Sequence, residues 1–108
     1  MAEPPLPFRL SGAMALRLIR EIAQDSSRVV VTTHARKRML QRRINRAQVL
    51  ECLLKGQLAE GPALDIHGNW TCMLRWRHAG DYVRVAAAIK EDAATGRKII
   101  VITVMHED

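Results

Sequence analysis

Residues 70–90 read WTCMLRWRHAGDYVRVAAAIK, two runs of alternating side chains on either side of the turn pair Gly80-Asp81. Alternation with period two marks half-buried strands, and Gly-Asp between two such runs is a hairpin signal, so a hairpin of Trp70–Ala79 and Tyr82–Lys90 is predicted. Parity sorts its side chains onto two faces. Trp70, Cys72, Leu74 and Trp76 share one face, with Thr71, Met73, Arg75 and Arg77 on the other. On the partner strand Val83, Val85, Ala87 and Ile89 oppose Tyr82, Arg84, Ala86, Ala88 and Lys90. A two-residue loop within 79–81 aligns the two apolar sets, whereas a three-residue loop would reverse the grouping. The apolar face then lies under another layer, and the open face gathers Arg75, Arg77, Tyr82, Arg84 and Lys90. Arg84 falls directly across from Arg75 or Arg77, where like charges cost about 0.2–1 kcal/mol. A phosphate bound between them would offset that cost, and so would an acid arriving from elsewhere. The same residues also fit a plain solvated face with splayed side chains. Trp76 is expected in the core, which leaves Tyr82 as the aromatic available for stacking.

Outward from the hairpin, the first half of the chain reads as helices. Ser11 caps a helix running to about Gln24, with Leu16, Ile19 and Ala23 as its apolar stripe. Arg28 to Thr32 is a short β-branched strand. Thr33 caps a helix from His34 to about Arg42 with Ala35 and Met39 inward. After the tight link Arg43-Ile44, Asn45 caps a third helix with Val49, Leu50, Leu53 and Leu54 on its core face. Gly56 ends that helix in the left-handed position expected of a C-terminal glycine. Beyond it come a short strand Gln57–Glu60, a loop Gly61–Gly68, the hairpin, a turn over Glu91–Arg97 and a strand Lys98–His106. Ile99 to Val104 is apolar on both faces except at Thr103, so this strand is expected in the sheet interior. The class is α+β, with N-terminal helices packed on one face of a curved antiparallel sheet. Residues 1–10, rich in proline, read as a flexible tail, and residues 11–108 as a single domain.

A chain of 108 residues forms one domain. No apolar run is long enough to span a membrane, and the first residues lack the pattern of a secretory signal. Two cysteines, Cys52 and Cys72, favour a reducing cytoplasm over a disulfide scaffold. Neither they nor His34 and His67 have metal-ligand spacing, and no metal or cofactor is expected. The net charge is +6, from seventeen Lys and Arg against eleven Asp and Glu. Its distribution is uneven. Between Ser26 and Leu50 stand Arg28, Arg36, Lys37, Arg38, Arg42, Arg43 and Arg46 with no acid among them. Outside that stretch ten cations face eleven acids. Seven unopposed cations repel one another, and an anionic partner relieves the repulsion.

The segment His34-Ala35-x-x-Arg38-Met39-x-x-Arg42-x-Ile44, followed by Val49, Gly56 and the closing Val101-Ile102-Thr103-Val104, resembles the domain-of-unknown-function 4258 family over about residues 29–104. This chain departs from that pattern at Arg43, where the family commonly has glycine, and at Met105-His106, where it often has an aromatic. The domain is also similar to RelE-like and MqsR-like toxin folds. That resemblance implies metal-independent RNA cleavage, with or without the ribosome, and neutralisation by a cognate antitoxin.

Cleavage by the ribose 2′-hydroxyl needs a base, an acid and cations on the phosphorane. His34, in the first turn of the basic helix, is the candidate base, although a histidine there also fits a capping or packing role. Arg75 and Arg77 would clamp the phosphate, with Arg38 or Tyr82 as supporting donor and Lys90 or His106 as acid. Arg36, Lys37, Arg42, Tyr82, Arg84 and Lys90 would contact the rest of the RNA. A non-catalytic RNA-binding or protein-interaction module is the alternative. A helix-turn-helix DNA reader fits less well, because Val49, Leu50, Cys52, Leu53 and Leu54 make its recognition helix too apolar.

Overall fold

In the computed structural model, which describes residues 9–78, 80–94 and 96–107, three helices precede a five-stranded sheet. The helices are α1 (Gly12–Ala23), α2 (Thr33–Arg42) and α3 (Arg46–Lys55). The strands are β1 (Val29–Val31), β2 (Gln57–Leu64), β3 (Trp70–His78), β4 (Asp81–Asp92) and β5 (Gly96–Glu107). The order across the sheet is β1-β5-β4-β3-β2. Every pairing is antiparallel except β1 with β5, which is parallel, so the expectation of an antiparallel sheet holds apart from its short first strand. That strand is separated from β5 by two helices and three strands, a connection long enough for the crossover a parallel pair requires. The strong interior strand is β5, as its apolar run foretold.

Three caps define the helices. Ser11 accepts from the Met14 N–H, and Asn45 and Gln48 form a reciprocal capping box at α3. The cap of α2 is Thr32, one residue before the expected Thr33. Its hydroxyl accepts from the Ala35 N–H at 3.0 Å and also reaches the Val101 carbonyl on β5. The tertiary bond to β5 selects between two adjacent threonines, and sequence cannot see it.

Gly56 departs from expectation more sharply. Its φ of −68° and ψ of 166° are extended, not left-handed. A Cβ there would stand 2.3 Å from the Cys52 carbonyl oxygen and 2.9 Å from that of Arg75. Glycine is needed for close approach between α3 and β3. The left-handed helix end is instead Arg43, with φ 54°. Past Gly56, β2 runs on to Leu64, through two register shifts against β3, into what was read as loop. The turn between β4 and β5 is likewise shorter than the expected Glu91–Arg97, because both strands extend into it.

The core lies between the helices and one sheet face. Ile19 of α1 and Val49 and Leu53 of α3 meet Leu74, Val83, Val85, Ile89, Ile99, Val101 and Val104, all fully buried. Of these, Leu74, Val83, Val85 and Ile89 belong to the apolar hairpin face assigned by parity, and the hairpin register His78↔Asp81 is that of a two-residue loop. Leu10 is also buried. Arg9 is exposed, and the rest of the expected tail, residues 1–8, lies outside the described residues. Helix α2 packs beside β5 past the end of β1. It is fastened at its start by Thr32 and at its end by His106, whose Nε2 is 2.7 Å from the Arg42 carbonyl oxygen.

Candidate nucleic-acid interface

The register of β3 and β4 sets Arg75 across from Arg84 and Arg77 across from Tyr82. All four side chains therefore stand on the sheet face away from the helices. Of the two ways to relieve the Arg75–Arg84 repulsion, the molecule contains the acid. Glu107 of β5 is paired with Tyr82 across the sheet. Its carboxylate accepts from Arg75 Nη2 at 2.5 Å and lies 3.8 Å from Arg84 Nε. Glu60 of β2 approaches Arg84 from the other side at 3.4 Å. The Arg75 guanidinium sits 4.1 Å above the Tyr82 ring centroid and that of Arg77 5.9 Å from it, within cation–π range. Burial of about three-quarters of the Glu107 and Arg84 side chains strengthens these pairings relative to a fully exposed surface pair.

The cluster is not saturated. Arg75 Nε, Arg84 Nε and the Trp76 indole nitrogen are buried donors with no hydrogen-bond acceptor among the described residues. Each such donor costs about 1–3 kcal/mol if left unmade. Arg75 and Trp76 both line a cleft of about 130 Å³ with Gln57, Arg77 and Tyr82. Trp76 is packed partly against the core, as parity required, and also lines this cleft. A larger hollow of about 270 Å³ adjoins on the same face, bounded by Glu60, Thr71, Met73, Ala86 and Ile102 among others.

The remaining expected residues are spread more widely. Lys90 belongs to the open-face set, but it stands eight positions along β4 from Tyr82, roughly 26 Å at strand rise. There it faces Lys98, which holds Asp92 at 2.9 Å. His34, Arg36, Lys37 and Arg42 are exposed on α2 and Arg38 is half-buried. Arg38 donates to Gln41. His34 makes no hydrogen bond or ion pair among the described residues. Helix α2 begins level with Val101 and Ile102 of β5, whereas the arginine cluster lies level with Met105 and Glu107, roughly 10–17 Å further along the strand. The structure thus brings together Arg75, Arg77, Tyr82 and Arg84, and sets His34 and Lys90 apart from them. His106, an acid candidate, is turned toward α2.

Glu107 was absent from the sequence-derived set for a definite reason. A β-bulge at Ile102 shifts the β4–β5 register between Ala86 and Ala87. Before it Ile99 and Val101 face the helices, and after it Val104 does. Unbroken alternation would have placed Glu107 with Ile99 and Val101, on the core side. Ile102, which the bulge leaves exposed beside buried Val101, is as apolar as its neighbours, so the sequence gives no warning of it.

Cys52 and Cys72 are buried free thiols. Desolvation pushes Cys52 up to about 12 and Cys72 to about 11, so neither serves as a nucleophile at neutral pH. No group of three or more His, Cys, Asp or Glu suited to a metal ion occurs among the described residues, and no helix among them is long and apolar enough to cross a membrane.

Residues 31–106 match the family model described as Domain of unknown function (DUF4258). The chain belongs to this family. No curated protein and no solved structure matches it. The DUF4258 match begins at the end of β1 and closes at His106. It therefore takes in α2, the hairpin and most of β5, and excludes α1 and Glu107.

Proposed function

We propose that this DUF4258 protein is an endoribonuclease of the toxin–antitoxin type, with a RelE/MqsR-like fold, that cleaves RNA on the open sheet face by attack of a ribose 2′-hydroxyl. The observation that carries the reading is the Glu107 carboxylate held between Arg75 and Arg84 beside the Tyr82 ring. These residue types match what the reaction needs. The 2′ oxygen bonds to phosphorus while its proton passes to Glu107, the P–O5′ bond breaks, and the 5′ oxygen takes a proton from water. The products are a 2′,3′-cyclic phosphate and a 5′-hydroxyl. Arg75 and Arg84 neutralise the phosphorane oxygens, and Arg77 adds positive potential. Tyr82 stacks a base next to the reacting phosphate. In this arrangement Glu107 takes the base role that sequence assigned to His34. His34, Arg36, Lys37, Arg38 and Arg42 hold the RNA backbone along α2 instead. RNA is the substrate, and an antitoxin protein is the partner that the likeness to these toxins supplies.

The test is cleavage of an end-labelled RNA by purified protein. Glu107→Gln should slow it about 100-fold, and Arg75→Ala by about 100-fold or more. His34→Ala should change the rate only a few-fold. The reverse order, with His34→Ala inactive and Glu107→Gln active, would return the base role to His34. A second reading is favoured by the row of α2 cations without an acid partner among the described residues: a module that binds RNA or protein and performs no chemistry. Tight RNA binding by the parent protein with no cleavage would establish it.

A further inference from the structure

We infer that the groove between the C-terminal half of α2 and the start of α3 is a docking site for an acidic, amphipathic segment of another protein. This inference does not use the cleavage reading. The groove has a volume of about 500 Å³ and is lined by Arg36, Met39, Leu40, Arg43, Ile44 and Asn45. Ile44 is buried at its floor and Met39 packs partly against the core, while Leu40 stands out from α2 with 79% of its surface exposed. A large aliphatic side chain raised beside an apolar floor is the form of an anchor point.

The rim carries the second half of the argument. Arg36 and Arg43 border the groove, with Lys37 and Arg42 on the same helix, and none of the four has an ion-pair partner among the described residues. No acid occurs between Ser26 and Leu50 to supply one. Arg43 also holds the left-handed conformation, φ 54°, which glycine adopts without strain and arginine does not. An arginine kept there sets its guanidinium at the groove's edge at a conformational cost, and such outliers point to use.

These features select one occupant. A nucleic acid would satisfy the cations but leave Leu40, Met39 and Ile44 facing phosphates and sugars, and no aromatic is present for a base to stack on. A second copy of this chain, related by a two-fold axis, would bring the same cations face to face. A segment with one or two large apolar side chains at helical spacing, flanked by Asp and Glu, meets both the floor and the rim.

The experiment is an NMR titration of the uniformly 15N-labelled 108-residue protein. The probe is a 16-residue synthetic peptide with leucines at every third or fourth position and glutamates between them. Peptides with lysine for glutamate, or serine for leucine, and a decauridylate are the controls. Amide shifts centred on Met39, Leu40, Arg43 and Ile44 are expected with the Glu/Leu peptide and with neither control peptide. Leu40→Ser should weaken its binding about tenfold or more. Arg43→Gly should weaken it while leaving the thermal midpoint equal or higher, which separates lost contact from lost structure. The inference is overturned if the Glu/Leu peptide gives no shifts there or the serine-for-leucine peptide binds equally well. It is also overturned if Leu40→Ser weakens decauridylate binding as much as peptide binding, or if both variants bind the peptide like the parent.

Discussion

Arg43 and Gly56 each end a helix, and their backbone roles are the opposite of what residue type suggests. At Arg43 the chain turns left-handed so that the Ile44 N–H reaches the Met39 carbonyl at 2.9 Å, closing α2 and burying Ile44. At Gly56 the chain stays extended, because what matters there is how near two carbonyl oxygens lie. Rules linking glycine to a helix end report a frequency. They do not distinguish conformational need from steric need. The two needs respond differently to mutation. Gly56→Ala keeps an allowed backbone but drives a methyl group into the Cys52 carbonyl. It should destabilise the protein by about 3 kcal/mol, in the upper range for overpacking. For a domain of this size that lowers the melting temperature by roughly 12–24 °C, measurable by calorimetry.

Among the elements, those whose signals are local were legible in the sequence. The Ser11 and Asn45 caps, the apolar faces of α1 and α3 and the parity of the hairpin all follow from neighbours in the chain. The Arg75–Arg84 juxtaposition was readable for the same reason. The features missed depend on contacts between distant segments. Thr32 caps α2 in place of Thr33 because β5 offers its hydroxyl a carbonyl. Strand β2 extends through Gly61 because β3 pairs with it despite two register shifts. Glu107 reached the arginines through a bulge that only the pairing of β4 with β5 reveals. The local signals should also act locally when removed. Asn45→Ala breaks the capping box of α3, and a loss of about 1 kcal/mol is expected. The corresponding fall in melting temperature is roughly 4–8 °C, with the RNA-dependent properties unchanged.

For the molecule as a whole, the net charge of +6 resolves into two regions of different character. On the open sheet face the arginines are matched by Glu107 and Glu60, so that region adds little net charge and acts through geometry. On α2 the cations are unmatched and act through potential. Salt separates the two. If the four α2 cations Arg36, Lys37, Arg38 and Arg42 contact a single-stranded RNA, log K should fall with log salt at a slope of roughly −2.8. Lys37→Gln should reduce the slope by about 0.7, since one phosphate contact is lost. The same titration on Glu107→Gln should give a slope no shallower than the parent, because that change removes a competing negative charge. A shallower slope there would contradict the assignment of binding to α2 and chemistry to the sheet.

The way the sheet ends at its two sides has a consequence for behaviour at high concentration. Strand β1 is three residues long, and beyond it the flank of β5 is shielded by α2 instead of being left open. On the far side β2 is a flank strand broken by two register shifts, with Glu60 between them. Neither side offers another chain a long, regular ladder of unpaired peptide groups. A sheet with a largely apolar interior strand is thereby protected from growing into fibrils by strand addition, and concentrated solutions of the folded protein should remain clear.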